Sequence, residues 1–174
     1  MNYIRDIDLH KKSNSYMGII EIPKGTNEKF ELVEPTFDKV KCIRKVKGKY
    51  PFYYGCFPQT LAGDRDALDM VLLSNKKRFK LDYIETTPIG VIKTIDDGEQ
   101  DDKILVVDSH EILSDSCLSK LKKRALKFLK KYKGRKSKMI LDTTIYDKNE
   151  AIQIIENCYN TYRRMEIPSI KINF

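Results

Sequence analysis

The chain is poor in the residues that would point to redox, zinc or histidine chemistry. Its four cysteines, Cys42, Cys56, Cys117 and Cys158, lie far apart with no Cys-x-x-Cys pair. A zinc ribbon or a redox dithiol is therefore not indicated, and reduced thiols are the simplest state. Two histidines are present, His10 and His110, and neither stands in a motif. No apolar run approaches the roughly 18 residues of a membrane span. Residues 1–14 are too charged to hold the apolar stretch of a signal peptide. These absences lead to the expectation of a soluble, cytoplasmic protein with no membrane partner. Internal repeats and low-complexity linkers are absent as well, so one domain spanning 1–174 is the simplest organisation.

What is present is charge and short apolar runs. Hydrophobic residues make up 41% of the 174 and charged residues 33%, enough for a packed core under a charged surface. The net charge of +8 favours anionic partners without choosing among them. Residues 1–16 are polar and read as poorly ordered or lying across the surface. From 17 to 112 the texture is that of β-strands. Apolar runs recur at Gly18–Ile22, Phe30–Val33, Val40–Ile43, Met70–Leu73, Ile89–Ile95 and Ile104–Val107, bounded by Gly, Pro, Asn and Asp. From 113 to 174 the period becomes helical. Leu118, Leu121, Ala125, Phe128 or Leu129 and Tyr132 predict one helix, with Gly134 as its stop. Asp147 caps a second, with Ile152, Ile155, Tyr159 and Tyr162 on one face. The expected fold is α+β: a small closed antiparallel barrel, OB-like with a five-stranded core, and two C-terminal helices packed on it.

Two acidic clusters carry the chemistry. Asp64-Arg65-Asp66-Ala67-Leu68-Asp69 runs directly into an apolar strand. In extended chain Asp64 and Asp66 project to the same side, and Asp69 opens the strand. Carboxylates that converge in this way repel one another unless a cation neutralises them, and hard oxygen donors suit Mg²⁺, Mn²⁺ or Ca²⁺. An acidic turn is the plain alternative. The second cluster, Asp96 to Asp102, forms the tip of a hairpin. Asp96 and Asp101 flank that tip and can face one ligand. Asp97, Glu99 and Asp102 read as solvated.

These residues, in this order, resemble the soluble family I inorganic pyrophosphatases. Seven separated motifs carry the likeness: Ile20-Glu21-Ile22-Pro23; Glu28-Lys29-Phe30-Glu31; Arg44; Tyr50-Pro51-Phe52-Tyr53-Tyr54-Gly55; the Asp-x-Asp-x-x-Asp of Asp64 to Asp69; Gly90 to Lys103; and Tyr132-Lys133. They span about residues 17 to 135. The resemblance implies hydrolysis of pyrophosphate by a metal-activated water with no covalent intermediate, and several Mg²⁺ per site with Mn²⁺ or Zn²⁺ as substitutes. It implies that Asp64, Asp69, Asp96 and Asp101 bind metal, with Glu21 and Glu31 in the outer shell. Asp66 would be the general base. Lys29, Arg44, Tyr54, Lys103, Tyr132 and Lys133 would hold the phosphoryl groups. A homo-oligomer, hexameric in bacterial members, is also implied. Arg65 and Ala67 depart from the family signature, which usually has a small or polar residue and a Pro or Glu there.

A basic stretch competes for attention. Between Leu118 and Lys138, eleven of twenty-one residues are Lys or Arg. A basic, OB-like nucleic-acid-binding module is one alternative reading of it; the other alternative, a catalytically impaired relative of the pyrophosphatases, rests on Arg65 instead. A solvated helix face explains the stretch better, because its apolar stripe is committed to the core and no aromatics interleave the charges for base stacking. Nucleic acid is therefore not expected as a partner.

Overall fold

A computed structural model describes residues 1–132 and 139–166. The elements run β1 (His10–Lys12), β2 (Ser15–Ile22), β3 (Glu28–Leu32), β4 (Val40–Lys45), β5 (Tyr53–Cys56), β6 (Asp69–Leu72), β7 (Tyr83–Asp96), β8 (Glu99–Gln100), β9 (Lys103–Asp108), α1 (Asp115–Leu129), β10 (Ile140–Tyr146) and α2 (Lys148–Glu166). Strands β2, β5, β6, β9 and β7 pair in that order, and β7 returns to pair with β2. The five-stranded barrel is therefore closed, which removes the free edges that an open sheet would expose.

The barrel is not antiparallel throughout. β6 and β9 run parallel, with Asp69 opposite Lys103. A parallel pair needs a crossover, and the long strand β7 supplies it. This ladder brings the first acidic motif beside the second.

Ring closure demands glycine at one point. A Cβ on Gly55 would lie 1.8 Å from the Ile19 carbonyl oxygen, so only glycine lets β5 approach β2 this closely. The acidic hairpin uses another. Asp97 and Gly98 both have positive φ, 49° and 90°, the conformation that a two-residue hairpin turn favours.

Side chains alternate along the strands between two cores. Val71, Leu105 and Ile92 pack with Leu121, Ala125 and Leu129 of α1. Met70, Leu72, Ile104 and Val106 pack with Ala151 and Ile155 of α2. Strands buried on both faces read as continuous apolar runs, which explains the sequence pattern. Ser114 caps α1, accepting from the Cys117 N–H at 3.3 Å. Asp147 caps α2, accepting from the Asn149 and Glu150 N–H groups at 2.8 and 3.0 Å. The buried stripe of α2 centres on Ala151 and Ile155, with Ile152 and Tyr159 half-buried beside it. On α1, Lys120, Lys123, Arg124 and Lys127 are exposed opposite the buried face.

Besides the parallel pair, two features differ from the sequence reading. The part read as helical, 113–174, contains β10, which adds to the barrel through β7. Its seven residues are only partly buried, so they show no strong apolar alternation. The polar segment 1–16 lies across the surface but is anchored by buried Ile7 and Leu9, and its last two residues belong to β2. Gly134, read as the stop of the first helix, lies outside the described residues, where α1 ends at Leu129.

Candidate active site

The two acidic motifs meet in a cleft of about 290 Å³ at one end of the barrel. β2 contributes Glu21 to it. β3 contributes Lys29 and Glu31, which share a face because they stand two apart on a strand. Tyr54 comes from β5, Asp69 from the start of β6, Asp96 from the end of β7 and Lys103 from the start of β9. The turn before β6 adds Asp64 and Asp66, the segment between β8 and β9 adds Asp101, and Tyr132 follows α1.

Asp64 and Asp66 do not project together from extended chain. The segment is a tight turn, with the Ala62 N–H donating to the Asp66 carbonyl at 2.8 Å and the Asp66 N–H to Asp64 Oδ1 at 3.1 Å. Arg65 lies at its centre with φ of 71°. Thr60, itself buried, accepts from the Leu68 N–H at 2.9 Å and fixes where the turn joins β6.

At the centre of the site, Lys103 Nζ donates to both Asp69 Oδ2 and Asp101 Oδ1, and the Tyr54 hydroxyl donates to Asp69 Oδ2. Lys103 is 1% exposed. Burial alone would raise the Asp69 carboxyl, but Lys103 and Tyr54 hold it below the usual carboxylate range. Asp101 goes the other way, pushed up to about 7 by burial and by the Asp69 charge against the pull of Lys103. Burial also lifts Glu21 to about 8, although its Oε1 accepts from the Leu32 N–H at 2.8 Å. Asp66 is raised by burial and by its neighbour Asp64. The upward shifts of Asp101, Glu21 and Asp66 come from burial and from crowded negative charge, whereas Asp69 is the carboxyl that Lys103 and Tyr54 satisfy.

The balance is explicit along the wall. Glu21, Glu31, Glu34, Asp64, Asp66, Asp69, Asp96 and Asp101 face the cleft, against the ammonium groups of Lys29 and Lys103. Lys29 is itself committed to Glu31 at 2.5 Å. Hard oxygen donors in such excess fit divalent cations such as Mg²⁺. Among the described residues no three His, Cys, Asp or Glu side chains already form a finished ligand set. Asp69 and Asp101 are turned onto Lys103 instead.

Of the residues singled out in the sequence, Arg44 does not line the cleft; its guanidinium lies 5.8 Å from the ring centre of Tyr132, which does. Lys133 lies outside the described residues. Asp102, read as solvated, is buried. It accepts from the Thr94 N–H at 3.1 Å and from Gln100 Nε2 at 2.6 Å, which orients the segment that presents Asp101. Sequence reasoning missed Ile4, Glu34, Phe37 and Cys56 in the wall. Glu34 follows Glu31 by three and could have been found, but nothing local marks Ile4, which arrives from the N-terminus. The Cys56 thiol is pushed well up by burial, so it stays protonated and is no nucleophile.

The family model for inorganic pyrophosphatase matches residues 18–163. The chain belongs to the inorganic pyrophosphatase family. Among pyrophosphatases, it is 30% identical over 174 residues to soluble inorganic pyrophosphatase 2 of Chlamydomonas reinhardtii, covering 92% of this chain and 89% of that protein. It is 31% identical over 158 residues to the enzyme of Nanoarchaeum equitans (strain Kin4-M), covering 83% and 96%. The fold matches the crystal structure of the Thermus thermophilus pyrophosphatase with a TM-score of 0.82 at 23% identity, over 94% of this chain and 99% of that one.

Proposed function

We propose that this chain hydrolyses inorganic pyrophosphate to two orthophosphates by direct attack of water, with several Mg²⁺ ions per site and Mn²⁺ or Zn²⁺ as substitutes. The observation that carries this reading is the excess of carboxyl over ammonium groups in the cleft of a pyrophosphatase-family chain. Such a wall repels a polyanion until divalent cations neutralise it. When bound, the ions supply acidity to a water molecule and offset charge on the phosphoryl oxygens.

Asp64, Asp69 and Asp101 would hold the first ion, Asp69 would also serve a second, and Asp96 and Asp101 would bind a metal that arrives with substrate. Glu21 and Glu31 act in the outer shell. Asp66 accepts the proton of the attacking water. Burial and the Asp64 charge raise its carboxyl, which brings it closer to the proton affinity that a base needs at neutral pH. Lys29, Arg44, Tyr54, Lys103, Tyr132 and Lys133 hold the phosphoryl oxygens, chiefly by charge-assisted hydrogen bonds. We read 1–174 as one catalytic domain, working in the cytoplasm as a homo-oligomer, hexameric if it follows bacterial members.

The test is orthophosphate release from pyrophosphate in Mg²⁺ and in EDTA. Turnover in Mg²⁺ and its loss in EDTA are expected. No turnover with Mg²⁺, Mn²⁺ or Zn²⁺ would refute the reading.

A further inference from the structure

Helix α1 carries an exposed stripe of one sign. Lys120, Arg124 and Lys127 stand four and three residues apart. Lys131 follows four later, in the turn beyond the helix end, where its N–H donates to the Phe128 carbonyl at 2.9 Å. At 3.6 residues per turn these four fall within about 60° of arc and span about 16 Å. All four are exposed. The fold widens the stripe. Gly48 lies against Phe128, where an added Cβ would be 3.8 Å from the ring, so the loop between β4 and β5 sets exposed Lys47 and Lys49 beside the helix. No Asp or Glu occurs in 39–63 or in 116–132. Among the described residues none of these six side chains makes a hydrogen bond or an ion pair. Like charges three and four apart destabilise a helix. A face that needs only solvation can interleave acids, as α2 does: its Glu150 pairs with Lys93 at 2.6 Å and its Glu156 with His10 at 2.9 Å. α1 keeps the repulsion.

We propose that this surface binds the phosphate backbone of double-stranded nucleic acid without reading its sequence. The absence of aromatics among these charges argues against stacking on bases, but phosphate contacts need only cations. A duplex offers the denser line of charge, one per about 1.7 Å of axis. A lipid surface is disfavoured, because no large exposed apolar side chain lies on α1 or on 46–50 to bury beside the cations. The stripe ends next to Tyr132, which lines the cleft. Elongation of a nucleic-acid chain by a nucleoside triphosphate releases pyrophosphate, so the surface keeps the chain where the substrate of the proposed reaction forms. Binding itself does not depend on that reaction.

The experiment measures affinity between about 50 and 200 mM salt. Its probes are two duplex DNAs of unrelated sequence, a duplex RNA, phosphatidylserine vesicles and polyglutamate. The wild-type chain is compared with Lys120→Gln/Arg124→Gln/Lys127→Gln and with Lys11→Gln/Lys12→Gln/Lys148→Gln, which removes the same charge from exposed positions elsewhere. For six contacts the slope of log K against log salt is expected near about −5, equal for the two DNAs. Loss of three contacts should bring it to about −3 in the α1 variant and weaken binding about tenfold or more at the lowest salt, with the control unchanged. A preference for DNA or for RNA assigns the source of the phosphates and supports the proposal in either case. Equal slopes and affinities for the two triple variants overturn it. So does a wild-type chain that binds neither duplex at the lowest salt, or that prefers the vesicles or polyglutamate to both. Pyrophosphate turnover, followed in parallel, tests the reading of the cleft separately.

Discussion

Replacing Lys103 with methionine removes the ammonium that Asp69 and Asp101 share. The replacement keeps a similar shape in a position that is 1% exposed. Breaking a buried ion pair by deleting one partner costs about 3–5 kcal/mol. Two features move this case to the low end. The Asp101 carboxyl, already pushed up to about 7, can take a proton, and the Tyr54 hydroxyl still donates to Asp69. A loss of about 3 kcal/mol in metal-free buffer near neutral pH follows, which for a domain of this size is roughly 6–12 °C in Tm. Thermal and urea unfolding in EDTA measure it. Mg²⁺ is then expected to raise the Tm of Lys103→Met by more than that of the wild type, because a divalent cation takes over the charge that the ammonium supplied. A loss below about 1 kcal/mol, the scale of an exposed pair, would refute the reasoning, as would equal Mg²⁺ responses.

Three further outcomes are expected. Asp66→Asn should lower kcat by about 10²–10⁴-fold, the usual contribution of a general base, while Tm and Mg²⁺ binding change little; near-normal turnover would place the base elsewhere. Gly55→Ala should cost about 3 kcal/mol or more in urea unfolding, because the added Cβ meets the Ile19 backbone rather than a mobile side chain, whereas Gly63→Ala, whose Cβ has its nearest neighbour at 3.4 Å, should be far milder. Equal effects at the two sites would show that the barrel relaxes around Gly55. Burial opposes ionisation of Asp108, but the His110 N–H at 2.8 Å, Arg78 and Lys76 hold its carboxyl below the usual range. A depressed carboxyl contributes stability that is present above the unfolded value and is lost as pH falls through the folded one, so Asp108→Asn should lower stability at neutral pH and flatten its decline in acid. An unchanged acid limb in urea titrations would rule this out.

Local chemistry made much of the molecule legible. Strand runs followed from apolar residues between turn formers, and the hairpin at Asp96 to Asp101 from an Asp-Gly turn. The first helix followed from the spacing of Leu121, Ala125 and Leu129, and the cap of the second from Asp147. Spacing also found the carboxylates, because a strand entrance crowded with aspartates is unstable without a cation. The short edge strand β10 escaped notice, since partly buried residues leave no period to read.

Sequence by itself determined which residue types the site would hold, because donor chemistry is a property of side chains. Only the tertiary structure decided how they meet. The parallel pairing of β6 with β9 sets Asp69 opposite Lys103, two residues distant by 34 positions, and burial there makes one ammonium serve two carboxylates. The same folding sent Asp102 inward and Ile4 to the cleft wall. At Asp64-Arg65-Asp66 it replaced extended chain by a tight turn that puts Asp64 and Asp66 in the cleft wall and Arg65 outside it, because backbone conformation, which no spacing rule specifies, decides the side to which each residue points.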